Sequence, residues 1–117
     1  MDYPITQKQF DLFKRECVVW QKRFGMSCYE LMFERISDLG ARATILAGPV
    51  DMMATVAIGA KWDTRPTQIE IKKAAMHEMA ELFLWDIREM LRDLYNEDVV
   101  NRKIHQIIRT LENLFFP

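Results

Sequence analysis

The sequence predicts an α+β fold with an N-terminal helix, a three-stranded mainly antiparallel sheet, and then a long helix followed by an antiparallel closing helix. Apolar residues recur at the 3.6-residue helical period near both ends of the chain. The middle third instead alternates apolar and polar residues between glycine-containing turns. A chain of 117 residues is long enough for one hydrophobic core, so we expect a single domain over residues 1–117.

The first helix is predicted over residues 6–24. Thr6 can cap its N-terminus, and Gln9 three residues later completes a capping-box pattern. Gly25 is a typical residue just beyond a helix C-terminus. The apolar positions at helical spacing are Phe10, Phe13, Cys17, Trp20 and Phe24.

Three strands are predicted over residues 29–36, 41–48 and 53–60. In the first, Tyr29, Leu31 and Phe33 alternate with charged or less apolar residues, as in a half-buried strand. The second and third contain β-branched residues and are separated by the Gly48–Pro49 pair, which predicts a chain reversal.

Two helices are predicted after the sheet. Thr67 and Glu70 form a second capping-box pattern, and apolar periodicity continues from there to about residue 95. Asn96 is expected to end that helix and cap the next one, over residues 97–115. The apolar stripe of this last helix consists of Ile104, Ile107, Ile108, Leu111 and Leu114.

Composition narrows the function classes. The formal net charge of −1 supplies no general attraction to nucleic acid or to anionic membranes, so neither is an expected partner. Charged residues interrupt every apolar stretch before it reaches membrane-spanning length, and the N-terminus lacks the pattern of a signal peptide. Cys17 and Cys28 have no metal-type spacing and fit a reducing compartment, so the expected location is the cytoplasm.

The chemistry is concentrated in His77-Glu78-Met79-Ala80-Glu81 on the predicted long helix. In a His-Glu-x-x-His zinc site, two imidazoles at i and i+4 hold the ion and the glutamate acts as general base. Here Glu81 replaces the second imidazole. A carboxylate still binds zinc, but it favours harder cations more than an imidazole does and makes the ion a weaker Lewis acid. The motif therefore predicts a site for zinc or another divalent ion.

A third ligand must come from elsewhere in the chain. If the last two helices form a continuous hairpin about Asn96, residues near 112 lie opposite position 81, which favours Glu112. His105, two turns earlier on the same face, is the second candidate, and Glu97 is a weaker one.

The same motif also allows a hypothesis without a metal ion. Neither Glu78 nor Glu81 has a lysine or arginine three or four residues away, so both need partners from outside the helix. Arg109 of the closing helix could supply a guanidinium that fills the place of an ion.

In its order of elements and in several segments, the chain resembles small phage-associated proteins related to zincin metallopeptidases. The resemblance is carried by Phe10–Phe13, Trp20, Phe24–Gly25, Trp62, the segment Ala75–Leu82 and the segment Ile104–Glu112. It implies a minimal zincin-like fold in which His77 and Glu81 are metal ligands and Glu78 is the base. Glu81 departs from the histidine of the zincin motif.

Two functions are expected on this basis. The first is a degenerate zincin-like phage accessory protein, a pseudoenzyme that binds or inhibits a component of the host cytoplasm. The alternative is a metal-dependent hydrolase in which Glu78 activates water and a peptide lies along an edge strand.

Overall fold

The computed structural model describes residues 2–48 and 50–117. Within these residues the chain forms four helices and two small β-sheets, which confirms the predicted α+β class. The strands are β1 (Tyr3–Pro4), β2 (Glu30–Ile36), β3 (Ala43–Gly48), β4 (Met53–Gly59) and β5 (Lys61–Trp62). The helices are α1 (Gln7–Arg23), α2 (Gln68–Phe83), α3 (Trp85–Arg92) and α4 (Glu97–Phe115).

Helix α1 has the two ends that its sequence predicts. The Thr6 side chain accepts a hydrogen bond from the Gln9 N–H, and the Gln9 side chain accepts one from the Thr6 N–H. At the other end, Gly25 has a φ of 71°, and the N–H groups of Gly25 and Met26 donate to Lys22 and Gln21. The chain therefore changes direction directly after α1, before it enters β2.

The main sheet has the strand order β2–β4–β3. Its central strand, β4, pairs parallel with β2 and antiparallel with β3, so the three-stranded sheet is mixed. Ala54, Val56 and Ile58 of β4 are buried, as expected for a strand with neighbours on both sides. Strand β3 is left at the edge beside α2, while β1 and β5 form a separate antiparallel pair.

The core joins the helices to β4. Helix α1 contributes Phe13 and Cys17, and α4 contributes Ile104 and Ile108. Helix α2 contributes the largest share of the helical core residues, namely Ile71, Ala75, Met76, Met79, Ala80 and Leu82. This buried face fixes the position of α2 in the fold. The opposite face of α2 therefore lies beside β3 and α4.

The prediction of one continuous helix over residues 67–95 is wrong. Helix α2 ends at Phe83, and α3 begins at Trp85 after Leu84, whose φ and ψ are −95° and 4°. Leu84 is buried in the core, and the Phe83 ring stacks on Phe24 of α1 with centroids 5.3 Å apart. Packing against α1 thus accompanies a break that no glycine or proline signals.

Among the residues that the structure describes, no helix has both the length and the apolar composition that crossing a membrane requires.

Candidate metal centre

Helix α2 presents His77 and Glu81 one turn apart, on the side that faces α4. The residues between and before them, including Ala75, Met76 and Met79, are buried in the core on the opposite side. His77 Nε2 lies 3.9 Å from a Glu81 carboxylate oxygen. The i, i+4 spacing therefore brings one imidazole and one carboxylate to a common point, as the sequence predicts.

Helix α4 adds His105 to this pair. Its Nε2 lies 3.4 Å from the same Glu81 oxygen, and the two imidazole centroids are 5.7 Å apart. One ligand atom from each of His77, Glu81 and His105 lies within 4.8 Å of the other two. Ligands of tetrahedral zinc are separated by about 3.4 Å, so small side-chain rotations would bring all three to bonding distance.

In both imidazoles, a contact of Nδ1 with an oxygen atom fixes the orientation of the ring. Nδ1 of His77 lies 2.6 Å from Glu112 Oε1, and Nδ1 of His105 lies 2.8 Å from the backbone oxygen of Asn101. Both acceptors are oxygens, so each Nδ1 carries the proton and donates it. In a neutral imidazole the lone pair is then on Nε2, the atom that faces Glu81 in both rings. This is the outer-shell arrangement that orients histidine ligands in metal sites.

The structure brings four predicted residues together but gives Glu112 and His105 different positions. Glu112, the favoured third ligand, contacts the outer nitrogen of His77, whereas His105 faces Glu81. The expected hairpin required one straight helix, and the break at Leu84 changes which turns of α2 and α4 lie side by side. Glu97 is outside the cluster and pairs with Arg92 at 3.3 Å.

Glu78 lies beneath the cluster and is only 4% exposed. Its Oε1 has no hydrogen-bond partner among the described residues. Burial raises the pKa of Glu78 well above its ordinary value of 4.5. The Glu81 carboxylate, a hydrogen bond to Glu81 and the charge of Glu112 raise it further. A buried carboxyl with a raised pKa and an unpaired oxygen is a stronger proton acceptor than an exposed carboxylate.

A cleft of about 390 Å³ reaches this cluster at His77, Glu78 and Glu112. One wall is α2, and the edge strand β3 begins at the other. The remaining lining residues are Arg42, Ala43, Glu70, Lys73 and Ala74. Glu81 and His105 lie outside this lining, and His105 keeps 44% of its side chain exposed.

Two cleft residues were missed by the sequence analysis. Lys73 precedes His77 by one helical turn, so the helical period could have placed it on the same face. Arg42 precedes β3, and nothing in the sequence pattern indicates that it reaches α2.

Arg109 does not fill the site. Its side chain is exposed, and within residues 2–48 and 50–117 no ion pair joins it to Glu78, Glu81 or Glu112. The metal-free hypothesis required the Arg109 guanidinium to lie among these carboxylates, and in the described residues it does not.

Comparison of the chain with family models, with curated proteins and with solved structures gives no match.

Proposed function

We propose that the protein is a metal-dependent hydrolase in which His77, Glu81 and His105 hold zinc or another divalent cation. The observation that carries this proposal is the convergence of two Nε2 atoms and one carboxylate next to buried Glu78, whose Oε1 has no hydrogen-bond partner among the described residues. Two imidazoles and one carboxylate form the ligand set of a well-known class of catalytic zinc sites.

The chain's residues have separate parts in this chemistry. When bound, the ion polarises a water molecule and a substrate carbonyl. Glu78 accepts the proton of that water and holds it, because burial and the neighbouring carboxylates favour its protonated form. Glu112 and the Asn101 carbonyl keep the two imidazoles in the tautomer that leaves Nε2 free.

The substrate in this proposal is a peptide in extended conformation. Strand β3 pairs with β4 on one side only, and it begins beside the cleft. An edge strand offers backbone N–H and C=O groups with which an extended peptide can pair. Such a peptide would pass His77 and Glu78 with its backbone parallel or antiparallel to β3.

Elemental analysis tests the metal, and a variant tests the base. Protein incubated with zinc and then desalted should retain stoichiometric zinc, which His77→Ala should lose. Glu78→Gln should keep the zinc but lose hydrolysis of a mixed library of quenched fluorescent peptides. Glu97→Gln, which removes an exposed carboxylate from the start of α4, is the matched control for both measurements. Wild-type protein that retains no divalent cation at neutral pH, zinc included, would refute the proposal.

The second candidate is the pseudoenzyme, which would bind a host component without catalysis. The observation that favours it is an exposed apolar stripe formed by Phe83 at the end of α2, Ile87 and Met90 on α3, and Leu94 in the turn after α3. Retention of a specific bacterial protein by chelator-treated protein, and its loss in Met90→Asp, would support this function. Loss of the partner together with zinc in His77→Ala would argue against it.

A further inference from the structure

Lys73 stands out among the charged residues of the cleft. It lies on α2 one turn before His77, is partly buried and lines the cleft. Its nearest acidic neighbour along the helix face is Glu70, at the i−3 position where an ion pair would normally form. Glu70, however, pairs with Arg42 at 3.0 Å.

Arg42 already has several partners in the described part of the chain. Besides Glu70, it contacts Asp63 at 3.7 Å and donates a hydrogen bond to the Thr64 hydroxyl at 2.6 Å. Its guanidinium also lies over the Trp62 ring, 4.9 Å from the centroid. These contacts hold Arg42 against the wall of the cleft and use two of its donors, one on Glu70 and one on Thr64.

Lys73 has no such partner. Within the described part of the chain, no carboxylate forms an ion pair with its ammonium, whereas the adjacent Lys72 pairs with Glu16 at 3.5 Å. Lys73 is therefore the cation of the cleft lining that is free to bind an anionic group.

The charges of the cleft are also polarised. Glu78 and Glu112 lie at the end near the imidazoles, and Lys73 lies one helical turn away. A negative group on a ligand that is not itself bound to the metal ion is attracted to the second end, where Lys73 supplies a positive charge. One turn of helix is about 6 Å for four residues, which an extended peptide covers in about two residues.

We propose that Lys73 is a specificity-determining residue that selects peptides with a carboxylate two residues from the bond to be cleaved. This inference rests on the proposed hydrolase function. The carboxylate can be an aspartate or glutamate side chain or the free C-terminus of a short peptide, since both present the same anion to the ammonium.

The test uses zinc-loaded full-length protein and short peptides that carry a hydroxamate to bind the metal. One pair of peptides differs by glutamate or glutamine two residues from the hydroxamate, and a second pair differs by a free or amidated C-terminus at that distance. Acetohydroxamate, which has no peptide part, reports on the metal alone. Dissociation constants are measured by calorimetry.

Wild-type protein should bind the carboxylate member of at least one pair about tenfold more tightly than its neutral partner, as expected for one charge-assisted contact. The pair that shows the difference identifies the source of the carboxylate. Lys73→Met should abolish the difference while leaving the neutral peptide's affinity unchanged, and Lys73→Arg should restore most of it. Lys72→Met, which removes the adjacent lysine, should behave as wild type.

Two results would overturn the inference, and they are distinguishable. If acetohydroxamate binds but both peptide pairs bind equally, or if Lys73→Met keeps the difference, the role of Lys73 is wrong and the hydrolase proposal stands. If the protein binds neither zinc nor any other divalent cation, and so does not bind acetohydroxamate, the proposed function is wrong and the role of Lys73 falls with it.

Discussion

Glu112 and His105 should respond differently to substitution if the first orients His77 and the second is a ligand. Glu112→Ala removes the acceptor that lies 2.6 Å from His77 Nδ1 but leaves all three inward-facing ligand atoms in place. His105→Ala removes one of those ligand atoms. The two residues lie two turns apart on α4, so these substitutions separate outer-shell and direct contributions on a single helix.

The expected magnitude for Glu112→Ala follows from the kind of contact it loses. Loss of an outer-shell carboxylate typically weakens metal binding roughly 10–100-fold. This corresponds to about 1.4–2.7 kcal/mol of binding free energy. His105→Ala should exceed the upper end of that range, because two ligands on one helical turn then remain. Glu112→Gln retains a side-chain oxygen that can accept from Nδ1–H, so its effect should be smaller than that of Glu112→Ala.

Zinc affinity can be measured by competition with a chromophoric chelator at fixed pH. Thermal unfolding with and without zinc provides an independent reading, because a ligand that binds only the folded state stabilises it in proportion to the logarithm of its affinity. Glu97→Gln controls for the loss of an α4 carboxylate outside the cluster. If Glu112→Ala abolished zinc binding and His105→Ala left it intact, Glu112 and not His105 would be the direct ligand.

Four further substitutions probe the base and the fold. Glu78→Gln should stabilise the metal-free protein at neutral pH, because protonated Glu78 contributes stability that is complete below pH 4.5 and is lost as pH rises through its raised pKa in the folded state. The free energy of unfolding can be measured with urea, in the presence of chelator, at a series of pH values above 4.5. The difference between Glu78→Gln and wild type should widen as the pH rises, and a difference that stays constant would contradict the prediction. Ile108→Ala should cost about 2–5 kcal/mol in the same assay, since Ile108 is fully buried. Ile107 is the half-exposed neighbour of Ile108, so Ile107→Ala should cost under about 0.5 kcal/mol. If the two substitutions lowered the free energy of unfolding equally, Ile108 would not lie on the face of α4 that packs in the core. Thr6→Ala should cost about 1 kcal/mol by removing the α1 cap, and an unchanged free energy of unfolding would show that the capping box contributes nothing.

The predictable parts of the fold are those set by local chemistry. The α1 cap at Thr6 and its end at Gly25 depend on side chains within a few residues, and both are confirmed. Asn96 likewise caps α4 as predicted, accepting from the Asp98 N–H. The break at Leu84 depends on packing between residues about 60 positions apart in the chain, such as Phe24 and Phe83, and periodicity carries no signal of it.

The same distinction applies to the site. The pairing of His77 with Glu81 follows from helical spacing alone, so it could be predicted. The choice between His105 and Glu112 depended on the register of α4 against α2, which the Leu84 break alters. Arg42 could not be placed at all, because its position depends on how the edge strand β3 lies beside α2.

The environment of Glu78 distinguishes a metal-dependent hydrolase from a metal-free structural cluster better than the positions of the imidazoles do. His77, His105, Glu81 and Glu112 contact one another, so a network of hydrogen bonds without metal would account for these four side chains. It would not account for Glu78, which is buried with an oxygen that no described residue satisfies and whose ionised form is opposed by two nearby carboxylates. Such a group costs stability in a purely structural cluster, where an apolar residue of the same size would be better. A nearby divalent cation and a water molecule would offset that cost, and they are the components that a hydrolase of this design requires.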